Sequence, residues 1–280
     1  MTGGSSSASA DTFRIWKGIA VMFKTILVDG DKGGVGKSLA TRALVQFYLE
    51  QPAESRPRLV VFDADHSNPD VCGKDGMTAG DGILSTGLID LATEAGWIDF
   101  AGRLEAVRDL DCRVIVNMPA QIGNVFDGSI PMVGDVLREA HAVPVWVLSR
   151  TQESIRALEH RVSRLPDQYA TGLAVRNLFF GDADQFVLWE ASQVRHRLLR
   201  SGWLETELPE LNDQLLVMMG RRPLHEVVRV GIDHKPLSLG YRLALQTWLR
   251  RALVALSKIE AVHGEPIQGA ATRAKPATAD

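Results

Sequence analysis

Cysteine is almost missing from this 280-residue chain. Only Cys72 and Cys112 occur, and neither belongs to a C-x-x-C pair. That removes a disulfide framework and a zinc signature and suits a reducing cytosol. Histidine offers no metal spacing either, since His141, His160 and His196 stand apart from one another. A charge excess is lacking too: 31 Lys and Arg face 34 Asp and Glu. The net charge of -3 gives no global pull toward nucleic acid or anionic membrane, so any such contact must come from a local patch. No apolar run approaches the ~18 residues of a membrane span, so no stable membrane insertion is expected. No internal repeat and no linker divides the core.

What is present is an ordinary globular balance, 45% hydrophobic and 23% charged. The Gly/Ser/Ala-rich start makes residues 1–22 a flexible leader, whose Phe13–Phe23 stretch weakly resembles a signal peptide interrupted by Lys17 and Lys24. Met22 is a second candidate start. The Ala/Pro/Thr-rich tail, residues 263–280, reads as disordered. Between them, continuous apolar runs predict strands at Thr25–Val28, Leu59–Phe62, Val114–Val116, Val143–Leu148 and Leu173–Val175. Helical patterns lie at Ser38–Glu50, Val133–His141, Ser154–Leu165 and Phe186–Leu199. Strands without alternation imply a sheet covered on both faces. The βαβα rhythm predicts one α/β domain over residues 23–262, a doubly wound, mostly parallel sheet with helices on both faces.

The decisive segment is Gly30-Asp31-Lys32-Gly33-Gly34-Val35-Gly36-Lys37-Ser38 with Leu39 following. A strand enters a glycine-rich loop and leaves as a helix, so backbone N–H groups and the helix N-terminus converge on an anion. Lys37 can reach β- and γ-phosphates, and the Ser38 hydroxyl can ligate Mg²⁺. The usual spacing places a glycine five residues before Gly36, where this chain has Asp31, and the Gly33-Gly34 pair supplies the turn.

Lys32-Gly33-Gly34-Val35-Gly36-Lys37-Ser38 resembles the deviant Walker A motif of the ParA/MinD family of P-loop ATPases. The resemblance implies ATP and Mg²⁺ as cofactors, held by Gly33, Gly34, Val35, Gly36, Lys37, Ser38 and Leu39. It also implies an ATP-dependent homodimer in which Lys32 crosses to the partner's phosphates, against the plainer reading of a solvated loop lysine. Asp63-Ala64-Asp65 after the second strand resembles the family's Walker A′ segment. Asp65 would then orient the attacking water and Asp63 would join the Mg²⁺ shell; capping of the next segment is the alternative. Cys112–Gln121 resembles the Walker B strand, with Asn117 where an aspartate is usual and Gln121 where a glycine is. An amide can accept from Mg²⁺-bound water but brings no negative charge, so slow hydrolysis with ATP binding as the main switch is expected.

Asn177, ending a strand, is either an adenine ligand or a turn residue. Pro209 is a candidate wall of the base pocket. His66 is either a proton carrier or a surface residue. Basic residues at Arg195–Arg197, Arg200, Arg221–Arg222 and Arg250–Arg251 are either solvated helix faces or a sequence-independent DNA surface. Tyr241–Ile259 carries an apolar stripe that either packs on the sheet or, as in MinD relatives, grips a membrane. The resemblance leaves several roles open: DNA partition or cargo positioning with a ParB-like partner, conjugal DNA transfer with a transfer-apparatus partner, septum placement, or cluster chemistry. A non-hydrolysing ATP-gated module is the alternative to an ATPase, and the location expected is cytoplasmic, nucleoid-associated if DNA is bound.

Overall fold

The computed structural model describes residues 24–66, 68–119 and 132–262. The expectations for the leader, the tail and Gln121 lie outside the described residues. The strands are β1 (Lys24–Gly30), β2 (Arg58–Asp63), β3 (Ile83–Leu88), β4 (Cys112–Asn117), β5 (Val143–Leu148), β6 (Leu173–Asn177) and β7 (Leu204–Leu208). They form a single sheet in the order β3-β2-β4-β1-β5-β6-β7, and each pairing is parallel.

Helices cover both faces. On one lie α1 (Lys37–Leu49), α7 (Asp213–Met219), α8 (Leu224–Arg229), α9 (Leu239–Leu256) and α10 (Ile259–Val262), packed on Ile26, Val28, Val61, Val145 and Val175. On the other lie α2 (Glu94–Glu105), α3 (Val133–Glu139), α4 (Gln152–Arg164), α5 (Val187–Glu190) and α6 (Gln193–Ser201), packed on Leu27, Val60, Val114, Val116 and Trp146. Successive strand residues therefore feed two separate apolar cores, which is why the sequence shows continuous runs. The chain leaves β1 toward β2 in one direction and, later, β4 toward β5 in the other. Right-handed crossovers then place α1 and α3 on opposite faces and open a crevice beyond the carboxyl end of β1.

Two differences from the sequence expectation have local causes. The segment expected as one helix over Phe186–Leu199 is two, because the Ser192 hydroxyl accepts the Arg195 N–H and starts α6 afresh. β3 and β7 were not foreseen. As sheet edges they carry Ser85, Thr86, Glu205 and Glu207 in place of an apolar run. Among the described residues, no helix is long and apolar enough to cross a membrane.

Candidate functional site

The register of the central strands assembles the site. Val28 stands level with Asn117 on β4 and Val145 on β5, and Asp63 on β2 stands level with Asn117. The loop from β1 to α1 then rises from the middle of the sheet. Gly34 and Gly36 hold positive φ, 79° and 102°, a backbone that favours glycine. At Gly30 a Cβ would meet Val35 Cγ1 at 2.8 Å and the Val147 carbonyl at 3.0 Å, so only glycine lets β1 pass under the loop.

The start of α1 is open. Gly36 is its N-cap without a side-chain hydrogen bond, and no acidic residue lies in the first turn. α2, α4, α6 and α7 take a side-chain oxygen from Thr93, Thr151, Ser192 and Asn212, whereas α3, α8 and α9, like α1, have no side-chain cap. The uncapped N–H groups of α1 and its dipole are thus presented to the crevice. Lys37 is buried in the loop, with its Nζ donating to the Lys32 carbonyl at 3.0 Å. Burial pushes its ammonium below the usual lysine pKa range, opposed by Asp29, Asp65 and Asp31. Ser38 and Leu39 are half-buried, and Lys32, Gly33 and Gly34 are exposed at the loop tip. Lys32 lies toward the start of α4: Glu153 has a lowered pKa from its own backbone N–H, then the Thr151 hydroxyl, then Arg156 and, least, Lys32.

The carboxylates take distinct places. Asp63 is fully buried and accepts four hydrogen bonds: Oδ1 from the Asp65 N–H at 3.1 Å and Asn117 Nδ2 at 2.9 Å, Oδ2 from the Val71 and Cys72 N–H groups at 2.8 and 3.2 Å. As placed it anchors the loop after β2 and orients Asn117. A second carboxylate at position 117 would stand against it as a buried like charge; the amide instead donates. The other end of Asn117, Oδ1, lies 3.3 Å from the Thr41 hydroxyl, which is 2.9 Å from the Lys37 carbonyl. Asn117 therefore links β4 to the first turns of α1. Asp65 is half-buried, and its Oδ1 accepts the Asn68 N–H at 3.1 Å, so it caps the loop while its charge reaches Lys37. His66 is exposed.

Asn177 is buried, with Nδ2 donating to the Val35 carbonyl at 2.8 Å and Oδ1 accepting the Phe179 N–H at 3.1 Å. It forms the turn and also braces the phosphate loop, and a Cβ on Gly36 would run into its Nδ2. Pro209 is buried beyond β7, and its carbonyl accepts Trp248 Nε1 at 2.8 Å. Leu178 and Pro209 share a cavity of about 540 Å³ with Arg176, Arg250, Arg251 and Val254.

Sequence reasoning missed the support beneath the loop. Asp29 is wholly buried: its Oδ1 accepts the Gly30 N–H at 2.8 Å, and Oδ2 accepts Arg161 Nε at 3.0 Å and the Tyr169 hydroxyl at 3.3 Å. The signal was legible, since Ile155, Leu158 and Arg161 fall at helical spacing on one face of α4, which makes Arg161 a core residue. Four of the basic residues singled out are paired: Arg195 with Glu205 and Glu190, Arg197 with Glu159, Arg221 with Asp70, Arg222 with Asp233.

A central strand, a glycine-rich loop with a buried lysine, and an uncapped helix lie at the switch point of a parallel seven-stranded sheet. The fold is that of the P-loop NTPases. No family model matches the chain. It is 28% identical over 241 residues to Protein MobD of Acidithiobacillus ferrooxidans, covering 85% of this chain and 99% of that protein. Among solved structures it is similar to a ParA family ATPase from Chlorobium tepidum TLS (12% identity, TM-score 0.49, 82% of this chain and 99% of the other). It is also similar to a nucleotide-binding protein in complex with ADP from Archaeoglobus fulgidus (17%, 0.41, 70% and 85%). Another is cobyrinic acid a,c-diamide synthase from Mycobacterium smegmatis with bound ADP and magnesium (14%, 0.39, 86% and 97%).

Proposed function

We propose that this chain binds ATP with Mg²⁺ on the Gly30–Ser38 loop and works as a slow ATPase switch whose ATP-bound form is a homodimer. The observation that carries the reading is the combination of an uncapped α1 N-terminus with Lys37 buried at its first residue. An ammonium held out of water beside unsatisfied N–H groups is an arrangement that a polyphosphate completes. Among the described residues no group of three or more His, Cys, Asp or Glu can hold a metal ion. Magnesium would therefore come with the phosphates, meeting the chain at Ser38. When bound, it supplies charge neutralisation of the phosphate oxygens. Asp65, whose charge acts on Lys37, would orient the attacking water, and Asn117 holds Asp63 and Thr41 without adding a carboxylate.

Lys32, exposed at the loop tip, is the residue free to cross to a second copy. Partition of DNA, positioning of cargo and conjugal DNA transfer are the processes such a switch would serve, with a ParB-like or transfer-apparatus protein as partner. The pairing of Arg195, Arg197, Arg221 and Arg222 with carboxylates weakens the case for DNA binding through those residues. Steady-state turnover of wild type tests the switch: slow hydrolysis supports it and fast hydrolysis contradicts it. Asn117→Asp, which sets a second buried carboxylate against Asp63, is expected to lose stability. Light scattering with ATP tests the dimer, which Lys32→Ala is expected to weaken; normal dimerisation of that variant removes the crossing role.

A further inference from the structure

The residue that departs from the usual loop sequence has an unusual environment. Asp31 stands where a glycine is common, and both of its carboxylate oxygens are shielded from solvent without a hydrogen-bond partner. Buried carboxylates are normally paired or hydrogen-bonded, as their neighbours are here. Asp29 is held by Arg161 and Tyr169, Asp63 by four N–H groups, and Asp65 receives the Asn68 N–H. Asp31 also acts on Lys37, whose ammonium is directed to the Lys32 carbonyl. The loop thus brings together groups that attract an anion and one carboxylate that repels it.

We propose that Asp31 makes the phosphate loop selective for the metal-bound form of the nucleotide. The inference rests on the nucleotide-binding reading above and assigns Asp31 as a specificity-determining residue. A bare triphosphate entering the cradle brings its full negative charge against the half-buried Asp31, whose carboxylate oxygens are shielded from water and have no hydrogen-bond partner. Its Mg²⁺ complex brings two charges fewer, and the cation adds to the counter-charge that Lys37 alone offers Asp31. Lys37 alone cannot serve both, because a phosphate draws its ammonium away from the loop. Free ATP is therefore rejected and MgATP accepted, at the expense of a carboxylate without a hydrogen-bond partner in the loop.

Calorimetric titration of ATP, once with MgCl₂ and once with EDTA, tests this on wild type, Asp31→Asn and Asp31→Gly. Asn keeps the shape and removes the charge; Gly restores the common residue. Both variants are expected to bind metal-free ATP tighter than wild type by on the order of tenfold or more, as removal of one nearby charge at low effective dielectric implies. Their MgATP affinities should change far less, so the ratio between the two conditions shrinks. Glu153→Gln removes an exposed acid near the loop tip, and its ratio should stay within about twofold of wild type because solvent screens it. If Asp31→Asn and Asp31→Gly keep the wild-type ratio, or if Glu153→Gln shrinks it equally, the proposal is overturned while nucleotide binding stands. Absence of MgATP binding to wild type would instead defeat the nucleotide reading and this inference with it.

Discussion

At the scale of single residues, the site is built on amides and an ammonium whose partners decide their roles. Asn177 gives both ends of its side chain to the backbone around the loop. Asn177→Ala is expected to cost about 1–3 kcal/mol through the lost buried hydrogen bonds. It should also weaken ATP and GTP by similar factors, because it acts through the loop; loss of ATP binding alone, measured by competitive titration, would favour the adenine role. Lys37 has its pKa lowered chiefly by burial, so its folded-state value lies below the unfolded one. The charged form is then what the folded state tolerates least. The destabilisation is complete below the folded pKa and is relieved as pH rises through it toward the unfolded value. Lys37→Met should therefore raise the stability of the nucleotide-free protein at pH 7 by about 1–2 kcal/mol, with the gain shrinking at alkaline pH; denaturant melts across pH check this. The motif was readable because glycines and lysine at fixed spacing have few other uses. The spacing on α4 marks Arg161 as a core residue, but its pairing with Asp29, and that of Asn117 with Asp63, could not be read, since the partners lie 132 and 54 positions apart.

Among the elements, those with a purely apolar environment were the ones visible in advance. β5 runs Val143–Leu148, every residue buried, and its apolar run has the same bounds. The edge strands β3 and β7 escaped because one side faces no neighbour, so polar residues are tolerated; Glu205 and Glu207 are answered by Arg195 and Arg176. The apolar stripe of α9 left packing and membrane binding open. The fold decides for packing: Leu245, Trp248, Leu249, Ala252 and Leu256 are buried, and beyond it Glu260 accepts the Tyr48 hydroxyl of α1 at 2.5 Å. Trp248→Ala is expected to lose about 3–5 kcal/mol, read as a lower urea midpoint at unchanged slope. A small stability change accompanied by loss of vesicle binding would instead favour the membrane role.

For the whole molecule, the order β3-β2-β4-β1-β5-β6-β7 puts the loop at the sheet's centre, where β4 and β5 flank β1 and supply Asn117 and the carbonyl beneath Gly30. The doubly wound class could be read from the alternation of runs, because continuous apolar strands need helices on both sides. The strand order could not, since nothing local records that β4 inserts between β1 and β2. Support reaches the loop from every side: Asp29 and Arg161 from below, Asn177 from β6, and Asn117 of β4 through Thr41 of α1. Such a loop has a preformed shape and needs only its anion. The most direct measurement is calorimetric titration of the full chain with ATP in the presence of Mg²⁺, beside Lys37→Met. A saturable heat for wild type that vanishes in the variant is the predicted result; no heat for wild type, or the same heat for both, would contradict the account.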